Sequence, residues 1–121
     1  MEQELLNQLD NVKSYSEFYN CIYNYCLRRL NLPNETKVKS MYYLVLFSVR
    51  IMMKEEDVKT LESRLATIDC HQTSYIVSKK TLLMMEIERI LGVKIDISEV
   101  DKCDDVNYYI NRLWEGYNVR D

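Results

Sequence analysis

A chain of 121 residues that is 47% hydrophobic can bury one core without disulfide or metal staples, and it suits a single unit. Its net charge of −3 argues against a nucleic-acid binder, which presents a basic face. Two glycines and one proline are too few to turn a chain of short strands, whereas the helix formers Leu, Met, Glu, Lys and Arg are plentiful, so an all-α, small helical bundle is expected.

Met1-Glu2-Gln3-Glu4 is acidic, with no basic stretch ahead of an apolar one, so no signal peptide is expected. Leu5, Leu6, Leu9 and Val12 form a helical stripe that predicts an amphipathic helix over residues 2–12. Ser14 with Glu17 offers a capping box, and Ser16 an alternative cap, for a second helix carrying Phe18, Ile22, Tyr25 and Cys26 to Leu30. Leu32-Pro33 stops it, because the residue before proline is pushed out of the α region. Thr36 is the expected cap of a third helix, residues 37–53, apolar on most sides and central to the fold. Its apolar run from Met41 to Met53 contains Arg50 and falls short of the roughly 20 residues a bilayer needs. A cytoplasmic protein with neither membrane nor nucleic-acid partner is the expectation.

Glu55-Glu56-Asp57 reads as a solvated charge run, and Val58 to Ile68 as a weak helix or ordered loop. Residues 67–74 lack a period and hold many cap-forming side chains, so they read as loop running into a helix start. From Ser74 a helix runs to Leu91 with Leu83, Met84, Ile87, Ile90 and Leu91 buried, and Gly92 follows as its C′ residue. Val93-Lys94-Ile95 crosses over. The acidic stretch from Asp96 to Asp105 reads as a solvated linker with caps, and Asp104 or Asp105 is expected to cap a last helix. That helix would present Val106, Tyr109, Ile110, Leu113 and Trp114 to the core and end at Gly116.

This ordering resembles an acyl carrier protein over roughly residues 37–117. Residues 37–53 would match the family's first long helix, Glu55-Glu56-Asp57-Val58 its Glu-Glu-x-Val, and Leu65 its anchoring loop residue. Leu91-Gly92-Val93-Lys94-Ile95 is similar to its apolar-Gly-apolar-x-Ile signature, and Asp105-Val106-Asn107-Tyr108-Tyr109-Ile110 to the opening of its last helix. Residues 1–36 would be an added helical hairpin on a carrier-like bundle of residues 37–121, the two forming one compact unit. Size and coarse pattern are also similar to the acyl-carrier-related proteins of bacterial peptide maturation systems.

The resemblance implies an acyl or aminoacyl group carried on a 4′-phosphopantetheine arm. Its partners would be biosynthetic enzymes and a phosphopantetheinyl transferase. Alternatively it implies a degenerate member that acts as a docking partner. The family attaches the arm to a serine at the start of the second long helix, where free N–H groups and the helix dipole favour phosphate. Ser74 is the candidate here and Ser78 its alternative. Both depart from the family's Asp-Ser-Leu context, and an ungapped count back from Gly92 puts Val77 at the serine position. As an ordinary N-cap, Ser74 would contribute about 1 kcal/mol.

No catalytic or metal-binding set is expected. His71 is the lone histidine, beside Cys70, and adjacent loop side chains rarely form a nucleophile pair. Cys21 and Cys26 lie about 140° apart on a helix, so they cannot chelate together. A helical interaction or immunity module unrelated to carriers is the other reading, drawn from the tyrosine-rich first half: Tyr15, Tyr19, Tyr23, Tyr25, Tyr42 and Tyr43.

Overall fold

The computed structural model describes residues 2–33, 36–52 and 70–120, and these are helical with no strands. The helices are α1 (Glu2–Leu9), α2 (Tyr15–Arg29), α3 (Met41–Met52), α4 (Cys70–Leu91) and α5 (Val106–Arg120). Two 3-10 turns, Ile97–Glu99 and Lys102–Asp104, stand between α4 and α5. The expected all-α bundle is the observed one. The expected loop, its anchor Leu65 and the charge run at Glu55–Asp57 lie outside the described residues.

α1 is a turn shorter than its apolar stripe, because Asn11 and Val12 donate to Gln8 and Leu9 in tight closing turns. α2 opens at Ser14, whose Oγ accepts the Glu17 N–H at 3.3 Å; Ser16 is not the cap. It stops before the proline with Asn31 in the left-handed region (φ 57°), a conformation asparagine tolerates.

The third helix departs from expectation. Thr36 does not cap it; residues 36–39 are not helical and α3 starts at Met41. Tertiary bonds hold that segment open. The Tyr23 hydroxyl lies 2.6 Å from the Val38 carbonyl and 3.1 Å from that of Thr36, and Val106 N–H donates to Lys39 at 2.9 Å. Ser40 and Asp105 form an antiparallel bridge. The cap arrives from far along the chain: Asp104 accepts the Tyr42 N–H at 3.0 Å and the Ser40 hydroxyl at 2.8 Å.

α4 closes as the sequence predicts. Gly92 takes φ 70°, its N–H reaches Arg89 and the Val93 N–H reaches Glu88, which together make a Schellman motif. Asp105 caps α5, accepting the Asn107 and Tyr108 N–H groups at 2.8 and 3.2 Å. α5 does not end at Gly116, however; it runs through to Arg120. Gly116 serves packing instead. A Cβ there would stand 2.6 Å from Val93 Cγ1, so the glycine lets the crossover strap lie against α5.

One apolar cluster runs through all five helices, from Leu5 and Leu9 through Phe18, Ile22, Leu27, Leu44, Leu46, Ile76, Ile87 and Leu91 to Tyr109 and Leu113. Each fully buried aliphatic or aromatic side chain there contributes roughly 1.5–3 kcal/mol. α1 and α2 therefore share the core of the remaining helices. The buried ring of Tyr109 seals the α4–α5 contact, with its hydroxyl 3.0 Å from the Met84 carbonyl and 3.3 Å from Glu88.

Gly116→Ala is expected to lower stability in urea by about 1–2 kcal/mol, because overpacking outweighs the helix-propensity gain of roughly 0.5–1 kcal/mol. Val93→Ala in the same chain should recover most of that loss. Strictly additive effects would show that the two residues do not touch.

Candidate functional site

α4 has two unlike faces. Ile76, Leu83, Met84, Ile87, Ile90 and Leu91 are buried, as the periodicity predicts with the addition of Ile76. On the opposite side Tyr75, Leu82 and Met85 fall within an arc of about 80° and are 48%, 66% and 59% exposed. Ser78 shares this arc and is exposed, whereas Val77, 43% exposed, lies beside buried Met84 at the edge of the core face. The sequence held the signal for this stripe. Leu82-Leu83-Met84-Met85 is four apolar residues in a row, which sweep most of a helical turn, so a one-sided core cannot take them all.

The charges of α4 are turned inward or sideways. Glu86 accepts the Tyr25 hydroxyl at 2.9 Å on one oxygen and Arg29 Nη2 at 2.9 Å on the other. Glu88 accepts the Ile95 N–H at 3.1 Å. Lys80 reaches Asp104 at 3.3 Å, and Arg89 reaches Glu2 at 2.6 Å. The mixed charges read from the sequence thus tie α4 to α1, α2 and the turns, and Lys79 is the α4 cation with no ion pair among the described residues. Beside the stripe, a notch of about 210 Å³ opens between α2 and α4, lined by Arg29, Leu30, Lys79, Leu82, Leu83 and Glu86.

α4 begins at least four residues before the expected start at Ser74. The run from Cys70 to Thr73 has neither glycine nor proline to stop it, and buried Ile76 anchors its early turns. Ser74 therefore stands in the second turn and Ser78 in the third, and Val77 has nearly two turns of helix ahead of it. Backbone N–H groups at that depth already bond within the helix, so none of these positions offers the free N–H groups of a first turn. The side chains of Cys70, His71 and Ser74 lie outside the described set. Of the other cysteines, Cys21 is half-buried, and Cys26 and Cys103 are buried. Burial pushes the Cys26 thiol up to about 12, so it stays protonated and packs as an apolar group. No group of three metal-ligating side chains occurs among the described residues. No described helix is long and apolar enough to cross a membrane.

The tyrosines of the first half turn mostly inward. Tyr23 and Tyr25 are buried, Tyr15, Tyr19 and Tyr42 are half-buried, and Tyr43 alone of the six is exposed. Tyr19 and Tyr23 stack at 5.9 Å with Lys39 Nζ 4.0 Å from the Tyr23 ring centroid. Tyr15 and Phe18 pack edge-on or tilted against Trp114. These rings build the α2–α5 contact, and among the described residues α4 carries the most exposed large apolar side chains of the five helices.

With the fold and this face in hand, comparison with protein-family models, with curated proteins and with solved structures found no match.

Burial, reinforced at Tyr25 by the Glu86 hydrogen bond, raises Tyr23 and Tyr25 to about 12, and burial raises Tyr109 further. Their stabilising effect is complete below the unfolded value near 10 and disappears as pH climbs through the folded values. In that window the unfolded chain has lost protons that the native state retains. Stability measured by urea denaturation should fall from about pH 10 upward, by about 1.4 kcal/mol per pH unit for each such tyrosine. Tyr109→Phe should shallow that slope; an unchanged slope would mean that this hydroxyl titrates in water.

Proposed function

We propose that this chain is a non-catalytic docking module, related to carrier proteins, that engages a biosynthetic or peptide-maturation enzyme through the outward face of α4 and does so without a prosthetic arm. The carrier part of this reading rests on order along the chain: α3, α4, the Gly92 turn, a short apolar crossover, 3-10 turns and α5. The docking part rests on one observation, the solvent-facing row Tyr75, Leu82 and Met85 directly opposite the core face of the same helix. Three large apolar side chains in line on a rigid helix suit a partner better than isolated exposed residues do.

The armless form is favoured over the loaded one by the placement of Val77, Ser74 and Ser78 well inside α4, away from any first-turn N–H groups. Because Lys80, Glu86, Glu88 and Arg89 are engaged within the fold, the partner would be held mainly by apolar contact, with little electrostatic steering. The immunity-module alternative has less support, since five of its six tyrosines are buried or half-buried.

Incubation with coenzyme A and a broad-specificity phosphopantetheinyl transferase should leave the intact mass at 14.5 kDa. A mass gain mapped to Ser74 or Ser78 would replace this reading with that of a loaded carrier. In hydrogen exchange against each enzyme encoded by neighbouring genes, one should protect residues 75–89, and Leu82→Glu with Met85→Glu should abolish that protection. No protection of α4 would remove the docking role.

A further inference from the structure

We propose that this chain self-associates, the protruding Ile97 of one copy seating in the Arg29–Lys79 notch of another. The inference needs no enzyme partner, although the notch takes one wall, Leu82, from the outward row of α4.

Ile97 is 88% exposed, the highest among the large apolar residues described, yet it sits on an ordered turn. Asp96 caps that turn, accepting the Ser98 N–H at 2.9 Å on its side chain and the Glu99 N–H at 2.9 Å on its carbonyl. Behind it Glu99 is clamped by Arg112 at 2.7 Å. A β-branched side chain on such a turn has little rotamer freedom left to lose, so seating it costs little ordering entropy.

The notch complements this knob. Its volume of about 210 Å³ is below the roughly 300–1,000 Å³ typical of small-molecule sites but has room for one branched aliphatic side chain. Leu30 and Leu83 are buried behind it, and exposed Leu82 forms a wall. Lys79 stands on its lining unpaired, and Arg29 is fastened to Glu86 beside it. The knob brings carboxylates to that rim: Asp96 adjoins Ile97, and exposed Asp101 follows Val100, itself 42% exposed. The Ser98 hydrogen bonds hold the Asp96 carboxyl below the usual carboxylate range, so it is anionic at neutral pH. Apolar knob meets apolar hole, and of the shoulder's mixed charges Asp96, next to Ile97, is the one to meet Lys79 on the rim.

The two features cannot satisfy each other within one chain, because Ile97 is open to solvent while its own notch is open too. Between two copies, reciprocal seating closes a dimer; seating in one direction only extends a chain of copies.

Sedimentation equilibrium between about 10 μM and 1 mM, the range for an interface of this small size, tests the proposal. The weight-average mass should climb from 14.5 kDa toward about twice that value for a closed dimer, or past it for an open chain, and fall back in high salt. Ile97→Asp and Leu82→Glu, both at exposed positions and checked for fold by circular dichroism, should each stay monomeric alone. Mixed together, one supplying an intact notch and the other an intact knob, they should associate again, more weakly than the parent if the dimer is closed. A parent that stays at 14.5 kDa throughout, an Ile97→Asp variant that associates as the parent does, or a mixture that fails to recover association would each overturn it.

Discussion

Two neighbouring carboxylates, Asp104 and Asp105, carry the joint on which this fold depends. Asp104 turns back across more than sixty residues to cap α3 through Tyr42 and Ser40, and its Oδ1 also receives Lys80 of α4. Asp105 turns forward to cap α5 and bridges to Ser40. One dipeptide thereby sets the start of two helices and touches a third. A helix start leaves N–H groups without intrahelical partners, and charged acceptors meet that need strongly. Because the acceptors for α3 come from the far end of the chain, the start of α3 is a property of the assembled bundle.

The same assembly decides what α4 can offer outward. Its carboxylates and two of its cations are drawn into contacts with α1, α2, the crossover and the turns. What remains on the solvent side is a nearly neutral apolar row with Lys79 at its edge. A surface of this kind selects a partner by shape and apolar burial more than by charge, so long-range steering adds little to the encounter rate.

Much of the bundle was legible from local signals. Ser14 with Glu17, Leu32-Pro33, Gly92 and the aspartate before Val106 each act within a few residues, and each marks a boundary where it was expected. The misread boundaries are those governed at a distance. Thr36 has the chemistry of a cap, but Tyr23 and Val106 bind its segment outside the helix. Gly116 has the chemistry of a stop, but Val93 needs its bare Cα for close approach, and the helix runs on. Cap-forming residues before Ser74 suggested a loop, yet no breaker interrupts Cys70–Thr73 and buried Ile76 rewards the longer helix.

The candidate site divides in the same way. The sequence by itself determined the helical class, the inward row Leu83, Met84, Ile87, Ile90 and Leu91, and the surplus of apolar residues around it, because burial follows a 3.6-residue period that one strand of text already contains. Only the tertiary structure decided that Leu82 and Met85 stay uncovered, that Glu86 and Arg89 are neutralised by residues some sixty and ninety positions away, and that a notch opens beside them. Those outcomes depend on which other helices arrive at α4 and at what angle, and contacts of that kind have no period along the chain.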